Sequence, residues 1–448
     1  MNRKQCPRFA VRALGLFMVI FALSGFVSAE WKEKVLYSFQ GGTTDGALPA
    51  GGVVFDAAGN LYGATQQGFG LCPPIDCGSV FQLSPPMKKG DPWTETVLHA
   101  FTGNSDGDGN VPVGGLIIDK SGNLYGTTGY GGTGDCVVLE TKVGCGIVYE
   151  MTPPQTKGGA WTETVPYSFQ GDKDGYLPVG ALTFDGVGNL YGATEYGGGY
   201  GSCNSPYYQY CGTVFKLSVP KTKDGKWEEK VLYSFKSGTD GANPNGGLVF
   251  DNKGAIYGTT YAGGNQGCKY DASVGCGTAF ELEPPADKGS LWKEAVLQRF
   301  SADEGNPWAG MIFDGEGYLY GTTLSTVFRL APPSKKSDRW KETILYTFDS
   351  DAYGPQGALI FDQAGNLYGT TYSGNTFSGT VFRLKPPNRD GGAWTFGILY
   401  GFTGSPDGAQ PAASLVFDKH GDMYSTTQKG GTGSCSFYGC GTVFEVNP

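Results

Sequence analysis

The sequence predicts an all-β fold, a seven-bladed β-propeller with four antiparallel strands per blade. Three observations predict it. A phrase of the form FD-x-x-GNLYGTT recurs seven times, its leading Asp at Asp56, Asp119, Asp185, Asp251, Asp314, Asp362 and Asp418. Each copy carries four short alternating apolar runs, and four strands per repeat of about 60 residues is the pattern of propeller blades. The two ends of the chain complement each other, which is what a closed ring requires and an open stack does not.

The four runs follow one order, seen in the fourth copy as GGLVFD (246–251), AIYGTT (255–260), GTAFEL (277–282) and a run from Trp292 to Phe300. The innermost strand is GGLVFD, because small residues suit a crowded axis. The fourth is outermost: its third copy contains Pro166, which sheets tolerate at an edge, and Lys32, Glu33 and Lys34 guard its start against further pairing. Its Trp recurs at Trp31, Trp93, Trp161, Trp227, Trp292, Trp340 and Trp394, one per blade, to pack between blades or cap the outer strand. After residue 30 the chain begins on this fourth-strand type and ends on the third-strand type, GTVFEV at 441–446. The first strand therefore completes the last blade.

Composition agrees. Gly and Pro number 75 and 26 of 448 residues, yet 14% of the chain is aromatic, so the glycines read as turns and axis residues and not as disorder. Residues 1–29 have the layout of a secretory signal: Arg3, Lys4, Arg8 and Arg12, an apolar run at 13–27, then Ser28 and Ala29. The run is short of the ~20 residues that a membrane span needs. Residues 30–448 then form a single domain outside the cytoplasm, extracellular, periplasmic or at the cell surface. The net charge of −9, more negative once the signal is lost, argues against nucleic acid as a partner. A monomer without membrane insertion is expected.

The phrase D-x-x-G-N-L-Y-G-[TA]-T, followed by G-T-V-F-x-L and W-x-E-x-V-L-Y-S-F, resembles the GloVer tandem-repeat family, secreted bacterial β-propeller-like proteins called "choice-of-anchor" for their varied C-terminal anchors. The resemblance covers residues 31–448 and is looser at Ala255, Tyr318 and Ser425. It implies secretion and no particular activity. The sequence ends at Pro448 on a strand motif, so no surface anchor is expected. Read from its residues, Asp-x-x-Gly-Asn is turn chemistry, the carboxylate accepting backbone N–H groups and Gly or Asn taking the positive φ.

Without Cys6 of the signal, ten cysteines remain, in five pairs between second and third strands: Cys72/Cys77, Cys136/Cys145, Cys203/Cys211, Cys268/Cys276 and Cys435/Cys440. Presence of both or neither in a repeat predicts local disulfides and no cysteine metal site. These loops share a face with the loops that lead into the innermost strands. The lead-in loops carry Asp45, Asp108, Asp174, Asp240 and Asp407 in D-G-x-x-P, with Glu304 and Asp351 in the fifth and sixth copies. These acids are expected around the channel mouth, either as a site for a cation such as calcium or as Asp-Gly turns. No other cofactor is expected.

Repeats five and six lack the disulfide loop, and Trp308, the one tryptophan outside the blade pattern, falls at that gap. With Asp303, Glu304, Asp351 and Tyr353 it forms a candidate ligand site, since an aromatic ring flanked by carboxylates holds sugars or cationic groups. The plainer reading is that Trp308 fills the space of the missing loop. Only two histidines exist: His99 replaces the usual Tyr of an outer strand, and His420 lies in a turn. No hydrolase triad, P-loop or dinucleotide fingerprint is present, and no catalytic residue is assigned. The expected function is a secreted binding or scaffold module that recognises an extracellular glycan or protein on the disulfide-loop face. The alternative is a carbohydrate-active enzyme, glycosidase or lyase, using carboxylates at the channel mouth.

Overall fold

The computed structural model describes residues 31–448 apart from 50, 71–76, 104–106, 139, 157, 172, 200–210, 223–224, 265–267, 269–274, 288, 336–337, 375, 390 and 436–437. The expected signal segment lies outside the described residues. Between Trp31 and Pro448 the chain folds into seven antiparallel sheets, one per repeat, arranged as a seven-bladed β-propeller. Blade 1 runs outward from the axis through Gly46–Pro49 and Val54–Phe55, Leu61–Gly68, Ser79–Ser84 and Thr94–Ala100. Blade 7 is closed by the first strand, Lys32–Ser38, which pairs with Thr442–Asn447. That removes two free edges at once.

Every outer strand meets its neighbour through a register shift, at Leu36, Leu98, Leu232, Leu297, Leu345 and Leu399 in six blades. In blade 2 the shift falls where Pro166 stands. Proline is accommodated there both because the strand is outermost and because the bulge leaves its missing N–H without consequence.

The innermost strand differs from its expected form. In blades 1, 2 and 4 it pairs as two short pieces, in blade 3 as one strand, Tyr176–Phe184, and in blades 5 and 6 only as its last two residues. Crowding at the axis is the reason. A Cβ on Gly114 would stand 2.3 Å from the carbonyl oxygen of Gly180, one on Gly246 2.2 Å from the nitrogen of Gly310, and one on Gly51 2.6 Å from Cα of Gly115. Gly52 closes the ring against Ser414, whose carbonyl oxygen would stand 2.7 Å from a Cβ there. Second-strand threonines tie the same place across boundaries: Thr259, Thr370 and Thr426 donate to the carbonyls of Ala309, Ala413 and Gly51.

The Asp-x-x-Gly-Asn turns form as expected in all seven copies. Asp56 Oδ1, for example, accepts the N–H groups of Ala58 and Asn60 at 2.8 and 2.9 Å, and Gly59 takes φ +87°. The second glycine of the phrase has a different role. Gly63, Gly126, Gly192, Gly258, Gly321 and Gly369 pair directly with Phe81, Tyr149, Phe215, Phe280, Phe328 and Phe382. A Cβ on Gly192 would lie 2.6 Å from Phe215 Cζ, so the ring lies flat over a position that must have no side chain.

Each of these rings also meets the Phe that ends the outer strand of the preceding blade. Phe39 packs on Phe81, Phe169 on Phe215, Phe235 on Phe280 and Phe402 on Phe444 at 4.9–5.1 Å, edge to face. The core is thus divided among the blade boundaries, and each buried cluster draws residues from two adjacent blades. The outer-strand tryptophans seal the same boundaries, with Trp161, Trp227, Trp340 and Trp394 set against Tyr62, Tyr125, Tyr257 and Tyr320 of the blade before.

Gly192→Ala should therefore lower the unfolding free energy in urea by about 1–3 kcal/mol, because Phe215 cannot move without leaving Phe169. Gly186→Ala, at a turn with nothing within 4 Å, should change it by less than about 0.5 kcal/mol.

Candidate functional site

The face that carries the disulfide loops is built from strained backbone. Before the proline of each lead-in loop, Leu48, Val111, Leu177, Asn243 and Gln410 hold φ between +54° and +58°, a region that side chains seldom adopt. Each gives its N–H to a carbonyl of the preceding blade: Leu48 to Cys440, Val111 to Cys77, Leu177 to Cys145, Asn243 to Cys211 and Gln410 to Ser378. Such conformations persist only where the surroundings over-determine them. For Leu48, Val111, Leu177 and Asn243 the disulfide loops supply that constraint. Cys136–Cys145, Cys268–Cys276 and Cys435–Cys440 are bonded with Cα separations of 5.0, 5.0 and 4.9 Å. Cys77 and Cys211 are disulfide-bonded too; Cys72 and Cys203 lie outside the described residues.

The lead-in acids do not ring the channel mouth. Asp45 accepts the N–H groups of Gln40 and Gly46 at 2.7 Å each and the Tyr37 phenol at 3.1 Å. Asp174, Asp240 and Asp407 bind Tyr167, Tyr233 and Tyr400 in the same way. Turn capping wins because each loop folds its aspartate, which stands just before the inner strand, back onto the end of the outer strand, where unpaired N–H groups need an acceptor. The expectation of acids at the mouth is corrected accordingly.

A second carboxyl reaches each cap from the next outer strand. Burial, reinforced by the nearby acid, pushes Glu33 up to about 8 beside Asp407, Glu95 to about 7 beside Asp45, Glu229 to about 7 beside Asp174 and Glu294 to about 7 beside Asp240. Glu342 is pushed to about 8 by burial and by the nearby Glu304. In blade 6 Phe396 replaces the glutamate and stacks on Tyr346 at 4.1 Å.

Of the expected site residues, Trp308 is half-buried and lies edge to face on Tyr261 of blade 4, 4.8 Å away. It thus leans on a blade that has its disulfide loop. Asp303 is exposed. Glu304 accepts the N–H and hydroxyl of Ser301 and turns toward Glu342, so its carboxyl serves the blade boundary. Asp351 is exposed and accepts the Thr376 hydroxyl at 3.2 Å, while Tyr353 pairs its backbone with Ser373. The two lead-in loops converge on one turn of blade 5, where Leu324 donates to Asn306 and accepts from Gly354.

Next to this turn, between blades 6 and 7 on the same face, lies a cavity of about 310 Å³ lined by Tyr372, Phe377, Gln410, Lys429 and Tyr438 among others. Tyr372 donates to Gln410 at 3.0 Å, and Lys429 stands 4.7 Å above the Tyr438 ring, which is 64% exposed. Sequence reasoning missed these residues. The one signal for them is the aromatic content of the variable loops, TYSGNTFSG and SCSFYGC. Larger grooves of about 770 and 1460 Å³ open between blades 5 and 6 and between blades 4 and 5, but their linings are largely repeated blade residues, such as Trp394, Phe361, Trp340 and Phe313. On the opposite side of the mouth Glu195 is held above the usual carboxylate range by burial. Among the described residues no helix is long and apolar enough to cross a membrane.

A family profile described as Gloeobacter/Verrucomicrobia repeat matches residues 20–205 and 142–376. No curated protein matches the chain. Solved structures similar to it include PhoX of Pseudomonas fluorescens, with 10% identity, coverage of 94% of this chain and 95% of that one, and a TM-score of 0.48. Another is an oxidoreductase described as a glucose dehydrogenase from Thermus thermophilus, with 14% identity, coverage of 93% and 100%, and a TM-score of 0.44. A third is PorZ of Porphyromonas gingivalis, with 15% identity, coverage of 86% and 47%, and a TM-score of 0.47.

The acid pairs make stability depend on pH with a definite sign. Between the ordinary carboxylate range and pH 7–8 the folded chain keeps protons on Glu33, Glu95, Glu229, Glu294 and Glu342 that the unfolded chain has lost. Folding is then weakened as pH rises through that window. Thermal unfolding should show Tm falling by several degrees from pH 5 to pH 8. The triple substitution Glu95→Gln, Glu229→Gln and Glu294→Gln should flatten that slope.

Proposed function

We propose that this chain, which belongs to the Gloeobacter/Verrucomicrobia repeat family, is a secreted binding module that holds a glycan on its disulfide-loop face. The observation that carries the reading is the cavity between blades 6 and 7. It joins two tyrosines and a phenylalanine to Gln410 and Lys429, in a volume of about 310 Å³. That is the size of a small-ligand pocket, and aromatic faces beside a few polar groups suit a sugar ring, whose C–H faces pack on aromatics while its hydroxyls exchange hydrogen bonds. The half-buried pair Tyr261 and Trp308 lies on the same face, two blades away, and offers a further contact for a longer chain. Disulfides in the loops accord with an oxidising compartment and hence with export. The module acts as a monomer and takes its ligand outside the cytoplasm.

The alternative, a glycosidase or lyase, draws less support. The carboxyls it would use in the lead-in loops are held by backbone N–H groups and outer-strand phenols, as at Asp45 and Asp407. Hydrolysis needs two carboxyls facing the bond to be broken.

A glycan array followed by calorimetry on the best ligand tests the proposal. Tyr438→Ala should weaken binding at least tenfold, and Trp308→Ala should weaken oligosaccharides more than monosaccharides. Unchanged affinity in Tyr438→Ala would remove the cavity from consideration. Turnover of a polysaccharide that disappears in Glu304→Gln or Asp351→Asn would establish the enzyme instead.

A further inference from the structure

The boundary between blades 1 and 2 departs from its siblings in one residue. Where Tyr37, Tyr167, Tyr233 and Tyr400 donate to a lead-in aspartate, the outer strand of blade 1 presents His99. Its Nε2 lies 3.1 and 3.3 Å from the two oxygens of Asp108. Glu163 reaches in from the outer strand of blade 2, and one ligand atom from each of the three residues lies within 4.8 Å of the others.

The exchange alters what this corner can bind. A phenol offers one proton to a carboxylate, whereas a neutral imidazole offers an electron pair to a metal ion, and two carboxylates beside it supply charge. The surroundings are already those of a built site. Asp108 is fixed by the N–H and hydroxyl of Thr102 at 2.8 and 3.0 Å and by the N–H of Gly109 at 2.6 Å, the kind of outer support that orients a ligand. The His99 ring is held edge to face on Phe101 at 4.8 Å. Oε1 of Glu163 is buried with no hydrogen-bond partner among the described residues. Side-chain exposures of 24% for His99 and 12% for Asp108 leave a path for an ion and for water to complete its shell.

We propose that His99, Asp108 and Glu163 bind one divalent transition-metal ion of the zinc class, bridging the outer strands of blades 1 and 2. A nitrogen with two carboxylate oxygens favours such an ion over calcium, which takes six to eight oxygens. The site is separate from the cavity of blades 6 and 7 and does not rest on glycan binding.

The repeats supply their own controls. The full chain, freed of metal with a chelator, is titrated with ZnCl₂ by calorimetry and followed by thermal unfolding. One ion per chain and a raised Tm are expected, with a visible absorption band when CoCl₂ is used and no response to CaCl₂ at equal concentration. His99→Tyr restores the sibling arrangement, so it should fold normally and weaken zinc binding at least about a hundredfold. Tyr167→His recreates the cluster with Asp174 and Glu229 and should add a second ion. The proposal is overturned if the wild-type chain takes up no zinc at millimolar concentration, if His99→Tyr binds it with unchanged affinity, or if Tyr167→His adds no site.

Discussion

Everything in this propeller depends on a ring of aromatic side chains lying over glycine. The third-strand Phe of each blade needs a flat floor, which the second-strand glycine provides, and only from that position does it meet the outer-strand Phe of the blade before. Edge-to-face aromatic pairs of this kind contribute about 0.5–1.5 kcal/mol beyond their buried area. Repeated around a closed ring, they couple each blade to the next and leave no blade with a core of its own. In blade 7 the glycine is replaced by Ser425, whose hydroxyl turns to the Ser414 carbonyl, and the pair Phe402 and Phe444 is kept.

The same boundaries concentrate charge. A lead-in aspartate must cap the backbone after the outer strand, and the glutamate two residues beyond the next tryptophan is brought up against it. Two carboxyls in a half-buried place cannot both ionise cheaply, so the glutamate rises into the neutral range. The arrangement explains why W-x-E recurs with D-G-x-x-P: neither element is a site by itself, and together they make a protonated joint. Where one partner changes, the joint changes its chemistry. Phe396 converts it to a stacked aromatic pair, Gln298 bonds Glu342 directly, and His99 converts it to a cluster with ligand character.

The disulfide-loop face combines rigidity with variation. Carbonyls of the second cysteines, and of Ser378 in blade 6, hold the left-handed residues of the lead-in loops, so the mouth is stiff although it is made of loops. On that rigid rim the side chains differ from blade to blade, with Leu48, Val111 and Leu177 on one side and Asn243, Trp308, Tyr372 and Gln410 on the other. A seven-fold scaffold can acquire a single ligand site only through such differences.

Blade number, strand order, ring closure and the disulfide pairs that are described were legible in the sequence, because each rests on local periodicity and on residues close along the chain. The Asp-x-x-Gly-Asn turn was legible for the same reason. The destination of the lead-in acids was not: Asp45 and Asp407 look alike as turn residues or as mouth residues until the path of the outer strand shows which groups lie within about 3 Å, hydrogen-bond reach. Nor were the joints or the cavity, since Asp108 and Glu163, or Tyr372 and Tyr438, come from different blades. Local periodicity suffices to specify the repeating unit and the way the ring closes; which unlike residues meet across its boundaries is set only in the folded ring, because such contacts depend on the twist and spacing of neighbouring sheets, and no repeat encodes these in isolation.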